Sequence, residues 1–166
     1  PTFEAPNPYC YRCPDQENCK NQCLDAFENL VAGNHKEIAA IILEPVMQGA
    51  AGMIPQPAGY VKRVRELADT FGLLLIADEV ATGFGRTGNM WGHETVGVKP
   101  DIIAMAKGLS SGYLPISAVA VSADIIRKPT RISAGAVACG GTMPMMGAMN
   151  MNGKKSAPAT TATQPV

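Results

Sequence analysis

Residues 73–88 read LLLIADEVATGFGRTG. The apolar run Leu73 to Ala77 ends on the acidic pair Asp78-Glu79, and a short unbroken apolar run closed by polar residues suits a strand buried on both faces of a parallel sheet. Two other runs have the same form: Ile38 to Leu43 stops at Glu44-Pro45, and Ile102 to Ala106 stops at Lys107. Between the first two lies the clearest amphipathic helix of the chain. Tyr60, Val64, Leu67, Ala68 and Phe71 mark its apolar face, charged residues fill the rest, and Gly72 stops it. Strand, helix and strand in this order predict an α/β chain with a right-handed parallel crossover.

The flanking sequence is less regular. Residues 1–15 hold four prolines and no sustained period, which predicts an extended entry segment. Helical spacing of Cys23, Phe27, Leu30 and Val31 predicts a helix from about Glu17 to Ala32, stopped by Gly33-Asn34. Ser117 to Val121 reads as a fourth strand of undetermined direction. Beyond Ile126 the periodicity fails, and Ser133 to Val166, a mixture of Gly, Ala, Met, Thr and Pro, reads as loop or disorder. Charge divides at the same place. Residues 1–124 carry all 14 acidic residues and nine of the 14 basic ones; the remaining five bases lie in 125–166. The expected organisation is therefore a domain over 1–126 and an atypical, disordered or unrelated tail over 127–166.

In an open parallel sheet, ligands bind beyond the carboxyl ends of the strands. Glu44, Asp78 and Lys107 each end or follow an apolar run, so parallel strands would bring all three to one edge. A lysine beside carboxylates there has two readings. One is a salt bridge at a strand end. The other is a Schiff-base lysine, nucleophilic because a partly desolvated crevice strips its proton, whose companion aspartate faces the ring nitrogen of pyridoxal phosphate.

The stretch from Leu73, together with PDIIAMAKG from Pro100, resembles the class III pyridoxal-phosphate aminotransferases of fold type I. IILEPVMQGAAGMIP from Ile41 and PYCYRCP from Pro8 resemble further family segments, so that the likeness spans about residues 8–126. The resemblance implies part of a mostly parallel, three-layer large domain. It implies that Asp78 meets the pyridine nitrogen, that Val80 packs on the ring, and that Lys107, 29 positions after Asp78, forms the Schiff base. Glu44 joins them as a cofactor-site residue. The implied activity is transfer of an amino group from a primary amine or amino acid to a 2-oxo acid or related carbonyl acceptor, by a cytoplasmic homodimer. A lyase, decarboxylase or aminomutase of the same family is the alternative. Ala50 and Ala81 stand where ornithine and 4-aminobutyrate members carry an acid and a glutamine, and DEVATGFGRTG is closer to members acting on a biotin precursor or on broad-range amines. Family chains are more than twice this length. The resemblance places their phosphate-binding loop and ring-covering aromatic residue before Pro1, so the 166 residues are expected to be inactive alone.

Other chemistries fit less well. Gly83 to Gly88 has the spacing G-x-G-x-x-G, but it starts five residues after Asp78 and no helix follows, which disfavours a dinucleotide site. Leu73 to Glu79 also has the form of the magnesium-holding strand of P-loop ATPases, yet no phosphate loop occurs in the sequence. Cys10, Cys13, Cys19 and Cys23 offer four thiolates to a structural zinc, the rival non-catalytic reading; the irregular spacing favours free thiols and no metal. His35 and His93 read as structural or solvated. Equal numbers of acids and bases argue against nucleic-acid binding, and no apolar run approaches the roughly 18 residues of a membrane span.

Overall fold

The computed structural model describes residues 2–13, 22–127 and 136–139. Its centre is a six-stranded sheet. The strands are β1 (Thr2–Ala5), β2 (Ala40–Leu43), β5 (Leu74–Asp78), β6 (Ile102–Met105), β7 (Ala118–Val121) and β8 (Ala136–Cys139), in the order β1-β8-β2-β5-β6-β7. All neighbours pair in parallel except β6 and β7, which are antiparallel. A hairpin of β3 (Met47–Gln48) and β4 (Ile54–Pro55) stands outside this sheet.

Helices α1 (Gln22–Asn34) and α2 (Tyr60–Phe71) cover one face. Strand side chains alternate between faces, so Ile41 and Leu43 of β2 share a face with their partners Leu75 and Ala77 of β5. That face is buried against Phe27, Val31, Tyr60, Val64 and Ala68. Ile42, Leu74 and Ile76, on the other face, are only half-buried. Among the described residues, one face of the sheet is thus sealed. Strand β6 is half-buried throughout and β7 is exposed.

Helix α2 ends as its sequence requires. Gly72 takes φ 67°, where a residue with a Cβ is disfavoured. Its N–H donates to the Asp69 carbonyl at 3.3 Å and the Leu73 N–H to the Ala68 carbonyl at 2.8 Å. This Schellman closure turns the chain directly into β5. Asp101 then locks helix to sheet: its Oδ2 accepts from the Leu75 N–H at 2.8 Å and from Arg65 Nη1 at 2.7 Å. Asp101→Ala leaves both donors without that acceptor, and urea unfolding should show a loss of about 2–3 kcal/mol, with Asp101→Asn recovering part of it.

Two sequence expectations change. Helix α1 runs to Asn34, past Ala32, and the first residues expected of it, 17–21, lie outside the described residues. The stretch after residue 133, read as loop or disorder, contributes β8, which lies between β1 and β2. AVAC among glycines has no period to recognise; pairing on both sides makes it a strand.

Candidate active site

Because β2, β5 and β6 are adjacent and parallel, their carboxyl ends open on one edge of the sheet. Glu44 follows β2, Asp78 closes β5, and Lys107 comes two residues after β6. The three charges feel one another. Asp78 is 8% exposed, and burial pushes its carboxyl above the usual range; the Val80 amide and the Lys107 charge pull it back, while Glu79 adds to the rise. The half-buried Glu44 carboxyl is raised first by burial and also by Asp78. The Gly49 and Ala50 amides and Lys107 oppose that rise.

Local backbone geometry aims these groups. The Val80 N–H donates to Asp78 Oδ1 at 3.1 Å, and no described residue donates to Oδ2. Glu44 Oε2 accepts from the Gly49 N–H at 2.8 Å, closing the turn toward β3. Behind this turn, fully buried Gln48 donates through Nε2 to Asn7 Oδ1 at 2.8 Å. Lys107 opens a 3-10 turn, Lys107–Leu109, with φ 35°. Its side chain is exposed among the described residues. Lys107 lies beyond the end of β6, past the face that the helices seal.

Sequence reasoning overlooked Glu79. It is fully buried. The Thr82 hydroxyl donates to Oε2 at 2.5 Å and the Gly92 N–H at 2.9 Å, while the His93 N–H donates to Oε1 at 2.8 Å and His93 Nδ1 lies 2.9 Å from the same oxygen. Glu79 thereby fastens helix α3 (Gly92–Thr95), with His93, to the end of β5. The sole sequence signal was a second acid directly after Asp78.

The cysteines sit elsewhere. Cys10 is exposed, Cys13 and Cys23 are half-buried, and all three border an open cavity of about 410 Å³ near Pro8 and Arg12. Cys19 lies outside the described residues. Among the described residues, no three His, Cys, Asp or Glu side chains come close enough to share a metal ion.

The donor set suits a nitrogen heteroaromatic that bears an aldehyde. Asp78 is buried with one oxygen left to accept a ring N–H, and a primary amine stands within its field. The family model for class III aminotransferases matches residues 1–148. The chain belongs to that family. This class III chain is 46% identical over 129 residues to the adenosylmethionine-8-amino-7-oxononanoate aminotransferase of Geobacter sulfurreducens, covering 75% of this chain and 28% of that protein. It is 45% identical over 126 residues to the leucine/methionine racemase of Thermococcus litoralis, covering 73% and 28%. Among solved structures, a thermostable omega transaminase mutant from Pseudomonas jessenii superposes with a TM-score of 0.65 at 37% identity, covering 72% of this chain and 27% of that one. The α/β architecture with its mostly parallel sheet is that of the fold type I large domain. This class III chain spans little more than a quarter of the length of these relatives.

Proposed function

We propose that this chain carries the reacting edge of a pyridoxal-phosphate-dependent transaminase, which moves an amino group from a primary amine or amino acid to a 2-oxo acid or related carbonyl acceptor. The observation that supports this most is the meeting of Asp78, Glu44 and Lys107 at one sheet edge, with burial concentrated on Asp78. Pyridoxal phosphate would supply an aldehyde for an amine and a protonated ring that withdraws electrons. Asp78 Oδ2 would accept the ring N–H and keep that proton in place. Val80, at the turn after Asp78, would lie against the ring, and Glu44 would hold the β2–β3 turn and balance the charge of Lys107. The Lys107 amine would take up the aldehyde; once released by substrate, it would act as the base that removes the proton from the substrate's α-carbon. The cofactor phosphate would be gripped by residues outside 1–166. The proposal includes a homodimer in the cytoplasm, acting on small molecules with no nucleic acid and no metal. No described helix is long and apolar enough to cross a membrane.

A second reading keeps the same residues. Similarity to a racemase is almost as close as to an aminotransferase, and returning the proton to the same α-carbon from the opposite side would racemise rather than transfer. The test mixes the full-length protein that contains these 166 residues, and with them the phosphate grip, with pyridoxal phosphate and a panel of amino acids and primary amines. Transfer yields equimolar carbonyl product and pyridoxamine phosphate. Racemised amino acid without carbonyl product would favour the second reading, and no conversion of any amine would overturn both.

Asp78→Asn offers a separate check. Asn keeps the acceptor for the Val80 N–H. Because burial raises the folded Asp78 carboxyl, wild-type stability falls as pH rises from 3.8 through the raised value, and the cost persists above that window. Thermal unfolding should therefore show Asp78→Asn more stable than wild type at pH 7, with a flatter slope across the acid range, and deficient in amino-group transfer.

A further inference from the structure

We infer that Phe84 is a positioning residue for the Lys107 amine, acting through Gly108, with Glu79 holding Phe84 in place. The inference rests on the reading of Lys107 as the amine that takes up the cofactor. Two residues with a Cβ occupy left-handed backbone on facing segments: Lys107 at φ 35° and Phe84 at φ 60°. Such conformations persist only where the surroundings impose them. Here the two strained segments touch. A Cβ added to Gly108 would lie 2.6 Å from Phe84 Cβ and 2.7 Å from Cγ and Cδ2, so even a methyl group has no room.

Phe84 is itself held from behind. Its ring meets Trp91 edge-on at 5.0 Å between centroids. The loop carrying both is tied at each end to Glu79: the Gly83 N–H donates to the Glu79 carbonyl at 2.9 Å, and the Gly92 N–H to its carboxylate at 2.9 Å. The Glu79 N–H donates to the Ala104 carbonyl of β6 at 2.8 Å, three residues before Lys107. One residue adjoining Asp78 thus anchors both the loop that presses on Gly108 and the strand that delivers Lys107. A lysine side chain has four flexible carbons, and this one is exposed. Fixing its backbone is the available means of keeping the amine beside Asp78 and Glu44.

The experiment treats the full-length protein that contains this chain with limiting pyridoxal phosphate, fixes the adducts with borohydride, and compares labelling rates by peptide mass spectrometry. The exposed Lys62 and Lys99 serve as internal references. Wild type should label Lys107 about tenfold or more faster than Lys99. Phe84→Gly and Gly108→Ala, which open and crowd the same contact, should each bring Lys107 to within about twofold of Lys99. Phe84→Leu keeps atoms against Gly108 and should retain most of the preference. Should Phe84→Gly fail to fold, Phe84→Leu and Gly108→Ala carry the comparison, with circular dichroism confirming the fold. A Lys107 preference that survives Gly108→Ala, and Phe84→Gly where it folds, overturns the positioning role alone. A wild type that labels Lys107 no faster than Lys99 overturns the reading of Lys107 itself.

Discussion

Replacing Lys107 with alanine is expected to abolish amino-group transfer, a loss of roughly 10⁴-fold, because one amine serves both as attachment point and as proton carrier. Lys107→Arg sharpens the test. Arginine keeps a positive charge near Asp78 and Glu44 but is neither nucleophile nor base near neutral pH. If Lys107 were only one end of a strand-end ion pair, the arginine variant would keep its function. The account expects both variants to be equally inactive and almost as stable as wild type, since the lysine is exposed and exposed charge pairs contribute little. The check is turnover of the full-length protein that contains this chain, with a complete set of amine donor, cofactor and 2-oxo acid, alongside thermal unfolding of the same preparations.

Glu79→Ala should have the largest effect on stability, a loss of about 3–5 kcal/mol. Its carboxylate is fully buried and accepts from the Thr82 hydroxyl and from the Gly92 and His93 amides. Alanine would strand these donors where water has little access. Gly92 admits no larger residue, since an added Cβ would lie 2.9 Å from Thr82 Cβ and 3.0 Å from Glu79 Oε2. Denaturant unfolding reads the loss directly. Glu79→Gln should fall between alanine and wild type, because one end of the amide still accepts while the other faces a donor.

What was legible in the sequence follows from how each feature is encoded. Runs such as Leu73 to Ala77 name themselves as strands because no polar residue interrupts them, and the polar residue closing each run marks the strand's carboxyl end. Glu44, Asp78 and Lys107 could therefore be placed on one edge once the strands were taken as parallel. Helix α2 was legible to its last turn because Gly72 has one structural use there. The strand β8 was not, since Ala136–Cys139 owes its form to β1 and β2 on either side. Contacts between separate loops were equally hidden. Nothing in GFGRTG says that Phe84 will fill the space a side chain at Gly108 would need, 24 residues later.

The central claim is that the Lys107 amine takes up the cofactor aldehyde. Incubation with pyridoxal phosphate, borohydride reduction and peptide mapping tests it most directly. The expected result is an adduct concentrated on the peptide containing Lys107 and lost in Lys107→Arg; an adduct spread evenly over Lys36, Lys62, Lys99 and Lys107 would contradict it.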